Sequence, residues 1–205
     1  MGSGPILRLL CLLALSAGCL CSQIIEFESG GLKYQTLSKN GLTIMVAELP
    51  SHVQDFSVVQ VAISNGSKTA YAVKPEDFLF LRSDGSELVS IPPRAVVNSL
   101  IQKASRSDVI RLVTAYENGI YGNAKYKATN GYEQRRQTAL AEFVSTMVKA
   151  AAAASAIAFV QTKLAPGQST DGAVFYENAG KPLGTGVMRV RAAGATFEFP
   201  MVSSN

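Results

Sequence analysis

From residue 42 onward apolar and polar residues alternate with a period of two, the spacing of strands that bury one face. In Ser57–Ser64, Val59, Val61 and Ile63 share one face, with Gln60 and Ser64 on the other. Asn65-Gly66-Ser67 then supplies turn chemistry. Phe78-Leu79-Phe80-Leu81 is apolar at every position, which predicts a central strand covered on both faces or a very buried one. Asp84-Gly85 ahead of Leu88–Ile91 predicts a hairpin, because glycine reaches positive φ without a Cβ clash. Pro92-Pro93 closes this half. The pattern returns in Ile157–Leu164, Ala173–Tyr176, Val187–Arg191 and Thr196–Phe199, with Pro166-Gly167 as one of the turns between them. In the last run Phe197 and Phe199 point inward, Thr196 and Glu198 outward. Short strands with frequent Gly and Pro punctuation predict a mainly β, antiparallel sandwich.

Between the two halves the period lengthens. Val97, Leu100, Ile101 and Ala104 mark a short helix from about Ala95. Ser107 is placed to cap a second helix, on which Val109, Leu112, Val113 and Tyr116 share a face. Leu140, Phe143, Val144, Met147, Val148 and Ala151 recur at helical spacing and predict a long amphipathic helix. Glu142 and Lys149 argue against a membrane span through 137–160. The prediction is one sandwich domain over residues 23–205, interrupted at about 94–155 by a helical insertion of about three helices.

The first 22 residues read as a leader: Arg8, a short apolar run Leu9–Leu15, then small residues. Leu15-Ser16-Ala17-Gly18-Cys19 resembles the lipobox of bacterial lipoproteins, which implies lipid attachment at Cys19 and a membrane anchor through it. Ser16 departs from the usual leucine there, and plain cleavage near Ser22 is the alternative. All three cysteines (Cys11, Cys19, Cys21) lie in this segment. The body therefore excludes thiol catalysis and cysteine-ligated zinc.

The chain carries a net charge of +4, and the basicity is local. Residues 102–136 hold Lys103, Arg106, Arg111, Lys125, Lys127, Arg135 and Arg136 against Asp108, Glu117 and Glu133. Four tyrosines (Tyr116, Tyr121, Tyr126, Tyr132) crowd the same stretch. Tyrosine rings beside cations suit an anionic, extended partner. Tyr121, Lys125, Tyr126, Lys127, Tyr132, Arg135 and Arg136 form the candidate ligand or partner surface. The competing reading has these tyrosines packing over the helices. For an exported protein, envelope proteins and anionic envelope polymers are nearer partners than nucleic acid.

Val58–Leu88, with Asn65-Gly66-Ser67, Pro75-Glu76-Asp77-Phe78 and Asp84-Gly85, resembles the first half of telokin-like immunoglobulin-type domains of bacterial secreted proteins and lipoproteins. Leu164-Ala-Pro-Gly-Gln-Ser and Gly172-Ala-Val-Phe-Tyr resemble the second half. The resemblance implies an immunoglobulin-like sandwich and leaves the insertion without a counterpart.

Catalytic signals are weak. His52 is the sole histidine, in a turn after Pro50-Ser51, and a hydrolytic triad would have to use it. Glu76 and Asp77 face opposite ways if on a strand. Glu26 and Glu28 share a face yet are two carboxylates at a terminus, and Asp84-Gly85-Ser86-Glu87 lacks calcium-loop spacing. Gly184-Thr185-Gly186 and Gly180-Lys181-Pro182 miss the phosphate-loop pattern. The expectation is a non-catalytic exported envelope module of structural or interaction role, with no cofactor and no metal. The alternative is an envelope glycan or anionic-ligand binder.

Overall fold

The chain reverses twice within its first three strands, at Gly30-Gly31 and Asn40-Gly41. All four residues have positive φ (59°, 77°, 51° and 75°), the backbone of a two-residue hairpin whose twist matches the strands. The computed structural model describes residues 23–50, 55–103, 110–111, 114–118 and 155–202. On them lie β1 (Ile25–Ser29), β2 (Leu32–Lys39), β3 (Leu42–Glu48), β4 (Phe56–Asn65), β5 (Tyr71–Val73), β6 (Phe78–Arg82) and β7 (Glu87–Val89). Helix α1 (Pro93–Lys103) follows, then β8 (Thr162–Leu164), β9 (Ser169–Glu177), β10 (Gly186–Ala192) and β11 (Ala195–Met201). The fold is mainly β, in antiparallel sheets ordered β1-β2-β3-β4-β9, β11-β10-β6-β7 and β5-β8.

Two apolar layers result. The first lies between the large sheets and joins Leu37, Ile44, Val59, Val61 and Ile63 to Phe78, Phe80, Val190, Phe197 and Phe199. Phe80, Val59, Val61, Ile63, Phe197 and Phe199 are fully buried, as their alternation requires. The second layer lies on the opposite face of the five-stranded sheet. There Val58, Ala62, Ala173 and Phe175 meet Val96 and Leu100 of α1, together with Tyr116 and Ile157. The described parts of the segment that interrupts the β pattern thus cover the outer face of one sheet.

Several elements differ from the sequence expectation. Strands begin at Ile25 rather than 42. The apolar positions of β2 switch faces, since Leu32 and Tyr34 join the outer layer while Leu37 joins the inner one. No single period marks that strand. Ile157–Leu164 is not one strand. Residues 155–157 are helical, Ala158 bridges Ala173 in parallel, and only Thr162–Leu164 is extended into β8. Ile157 and Phe159 belong to different layers as the chain rounds the edge of β9. Helix α1 starts two residues early, at Pro93, where a proline's missing N–H costs nothing, and its buried pair is Val96 and Leu100. Strand β6 is central, but Leu79 and Leu81 stay half-exposed on its outer side. Glu76 and Asp77 lie in a 3-10 turn, where Asp77 accepts the Lys74 backbone N–H at 2.9 Å.

Turns bind the halves together. Asn65 is fully buried; its Nδ2 donates to the carbonyls of Thr69 (2.8 Å) and Leu164 (3.0 Å), and its Oδ1 accepts from Ser67 N (3.0 Å). The Asn65 carbonyl accepts from Gly167 N at 2.7 Å. The Asn-Gly-Ser turn and the Pro-Gly turn, some hundred residues apart in sequence, are therefore one knot. The edge of β11 is closed by side chains of β2 and its turn: Lys39, Gln35 and Asn40 donate to the carbonyls of Thr196 (2.6 Å), Pro200 (2.7 Å) and Ala193 (3.0 Å). Satisfying an edge this way removes a template for unwanted strand pairing.

Gly172 in β9 has no room for a side chain, because a Cβ there would lie 2.6 Å from the Phe159 Cα. Backbone cannot yield as a flexible side chain would. Gly172→Ala is expected to cost about 1–3 kcal/mol by overpacking, read as a Tm lowered by several degrees. An unchanged Tm would contradict the close approach.

Candidate functional site

Strand β4 is buried on both faces, and Gln60 sits in the middle of it. Its neighbours on the outer face, Val58 and Ala62, are buried too, so Gln60 has 0% exposure and no access to water. An amide so placed must find protein partners or lose several kcal/mol of hydration. Gln60 Oε1 accepts the Tyr34 hydroxyl at 2.5 Å, and Nε2 donates to the Tyr116 carbonyl at 2.8 Å. The Tyr116 hydroxyl in turn donates to Asp171 Oδ2 on β9. Tyr34, Tyr116 and Asp171 are all buried, and burial holds the Tyr34 phenol far above its ordinary pKa, as a neutral donor. Two strands of the sheet (β4, β9) thereby grip one residue of the inserted segment, at its backbone and its side chain, and Tyr34 of β2 holds the gripping amide.

The roots of the insertion are fixed beside this network. Ile91, just before α1, donates its N–H to the Phe175 carbonyl at 2.8 Å. Phe159, just after the insertion, donates to the Ala173 carbonyl at 2.8 Å. Entry and exit thus occupy alternate carbonyls on one edge of β9. Two residues of strand span about 7 Å, so the insertion leaves and re-enters the sheet at one place.

A second polar cluster ties the β9–β10 connection. Asn178 contacts the Ser57 hydroxyl (3.1 Å) and the carbonyls of Lys181 (2.9 Å) and Pro182 (2.7 Å), and it accepts from Arg82. Glu48 Oε1 accepts the Leu183 N–H at 2.9 Å. Burial raises the Glu48 carboxyl above the usual carboxylate range, and the Leu183 hydrogen bond opposes the rise only in part.

Of the residues singled out in the sequence, Cys19, His52, Tyr121, Lys125, Tyr126, Lys127, Tyr132, Arg135 and Arg136 lie outside the described residues. The long helix expected over 140–151 does too. Tyr116, the first tyrosine of the cluster, is described, and it is a packing and hydrogen-bonding residue with 0% exposure. Glu26 and Glu28 are exposed on one face of β1, and Glu26 accepts from Gln35 at 2.8 Å. Among the described residues no three His, Cys, Asp or Glu side chains converge on a metal position, and no helix is long and apolar enough to cross a membrane. Sequence reasoning missed the role of Gln60, which it placed on the less buried face. The signal was present: Val58 and Ala62, two residues to either side, made that face apolar as well. No family model, no curated protein and no solved structure matches the chain.

Two measurements test this geometry. Gln60→Leu withdraws a partner from the Tyr34 hydroxyl and the Tyr116 carbonyl, each costing about 1–3 kcal/mol when left dehydrated. Stability should fall, and amide exchange at residues 114–118 should accelerate; unchanged exchange there would show that Gln60 does not hold the insertion. Glu48→Gln keeps an oxygen for Leu183 and removes the desolvated charge. The raised pKa means that the folded state binds the proton more tightly than the unfolded chain. The wild-type contribution is therefore full below the unfolded pKa and is lost as pH rises through the folded one. Glu48→Gln should raise Tm at pH 7, and the gain should vanish below about pH 4. A gain that persists at low pH would rule out the titration.

Proposed function

We propose that this chain is a non-catalytic exported module of the bacterial cell envelope, with an immunoglobulin-like sandwich as scaffold and the insertion as its specific, partner-facing part. The observation that carries the reading is the grip on Tyr116, whose backbone carbonyl is held by Gln60 and whose hydroxyl is held by Asp171. A segment fastened by dehydrated polar contacts keeps one register on its support, which suits presentation of a defined surface. The knot between the Asn65-Gly66-Ser67 and Pro166-Gly167 turns supports the immunoglobulin-type assignment, because these are the stretches that carry the family resemblance. Cys19, six residues ahead of Ile25, would tether the scaffold to a membrane within about 20 Å of β1.

The local charge favours a second reading in which the insertion binds an anionic envelope glycan or lipid headgroup through Tyr121, Lys125, Tyr126, Lys127, Tyr132, Arg135 and Arg136. With net +4 on residues 102–136, such binding should weaken steeply with added salt.

One set of variants separates these readings. Cys19→Ala should move the protein from the membrane to the soluble fraction, and a wild-type chain that is already soluble would remove the anchor. Replacing Lys125, Lys127, Arg135 and Arg136 with Gln should abolish binding to anionic envelope material with little change in Tm, since exposed charges contribute little to stability. Tyr121→Ala with Tyr126→Ala lowers affinity at constant Tm if the rings are a ligand platform. It lowers Tm if they pack as Tyr116 does.

A further inference from the structure

On the face of the five-stranded sheet that looks toward the other sheet, the apolar run stops before the strands do. Leu42, Ile44 and Val46 of β3 are core, and Glu48 follows them on the same face. On β2 the same face reads Leu37, then Gln35, then Lys33, and on β4 it reads Val61, Val59, then Ser57. Glu26 of β1 stands opposite Gln35. This polar end of the sheet lies past the last residues of β11, and a cleft of about 710 Å³ opens there. Its opposite wall is made by Lys181-Pro182 and Pro200–Val202. The volume is that of a small-molecule site.

Charge is ordered within the cleft. Glu48 is half-buried and anchored to the Leu183 amide, whereas Lys33 and Lys181 are exposed at the mouth. Neither lysine offsets the burial of Glu48, whose carboxyl is raised by desolvation and lowered only by the backbone hydrogen bond. A desolvated carboxylate in a cleft, with cations farther out, matches a ligand whose ammonium goes in first and whose anionic group stays outside. Pro182 and Met201 supply apolar wall between the two poles.

We propose that this cleft binds a small zwitterion, its primary ammonium on Glu48 and its anionic group at Lys33 and Lys181. Two sources share that chemistry: a diamino acid, free or within a peptide, and a phosphoethanolamine headgroup. Glu48, Gln35 and Lys33 lie on the opposite face of the sheet from Gln60, and the proposal does not depend on the role proposed for the insertion.

Amide NMR of the full chain, titrated separately with lysine and with phosphoethanolamine, tests the proposal. Phosphocholine, which has no N–H to donate, is the control. A saturable shift of the Leu183 amide is expected with at least one amine probe and not with phosphocholine. Glu48→Gln should weaken that binding roughly tenfold or more, the worth of one charge-assisted hydrogen bond, while its ligand-free spectrum stays folded. Lys33→Gln with Lys181→Gln should weaken it as well. Response to phosphoethanolamine alone assigns the headgroup, and response to lysine alone assigns the amino acid. Response to both supports recognition of the shared ammonium-anion pair. Silence at Leu183 with both probes, equal binding by Glu48→Gln, or an equal response to phosphocholine would overturn it.

Discussion

Gln60 has two hydrogen bonds and no water, and much of the molecule follows from that. Because β4 is central in its sheet and apolar on both faces, both faces must be covered. The inner one meets the four-stranded sheet. The outer one needs the insertion, and the amide in the middle of that face decides how the insertion sits. Apolar burial over Val58, Ala62 and Phe175 is non-directional and leaves the register of the roof less sharply set. The Gln60 amide is directional. Its donor requires the Tyr116 carbonyl and its acceptor requires the Tyr34 hydroxyl, and losing either leaves a dehydrated group without its partner. Burial supplies most of the free energy of docking, and the polar contacts supply its register.

This division explains what could be read from the chain and what could not. The inner core was legible because Val59, Val61, Ile63, Phe197 and Phe199 each obey a strict period of two, and the hairpin at Asp84-Gly85 was legible from turn chemistry alone. Strand β2 was not, because it buries Tyr34 on one face and Leu37 on the other, so its apolar residues keep to neither face. Ile157 and Phe159 were misjudged for a related reason: both are apolar, and nothing local says that they serve opposite layers. Gln60, Asp171 and Asn65 are the hardest class. A polar residue in an apolar stretch looks like the solvent side of a strand until its partners, 26 to 99 residues away, are known. The candidate surface from Tyr121 to Arg136 was legible as composition, and Tyr116 alone among the clustered tyrosines has a described environment.

Polar closure recurs at the sheet edges and follows the same logic. Strand β11 ends its sheet, yet its carbonyls at Thr196 and Pro200, and that of Ala193 in the turn before it, are taken by Lys39, Gln35 and Asn40. Lys39 also lies over the Phe197 ring, 5.8 Å from its centroid, a cation-π distance. On the other sheet, the β9 edge is taken by Ile91 and Phe159 at either root of the insertion. Backbone groups that would otherwise invite another chain are spent on holding this one together. Strand β1 is the contrast: it carries Glu26 and Glu28 on one exposed face, and two copies aligned along that edge would bring like charges together.

The five-stranded sheet therefore has faces with different duties, and the switch between them is written in single residues. Val46 to Glu48 on β3, Leu37 to Gln35 on β2 and Val59 to Ser57 on β4 are each one step of the same alternation, taken at the same end of the sheet. Had those positions stayed apolar, the uncovered end would expose a patch that favours aggregation. Glu48, Gln35 and Ser57 make it polar instead, with the Ser57 hydroxyl donating to the Lys181 carbonyl and burial raising the Glu48 carboxyl pKa. A surface needed merely for solubility would be served by exposed lysine and glutamate, as at Lys68 and Glu28. Drawing a carboxylate inward against its own hydration, with a backbone amide fixing one oxygen, costs stability that solubility does not require. That cost accords with the ammonium-binding role proposed for Glu48.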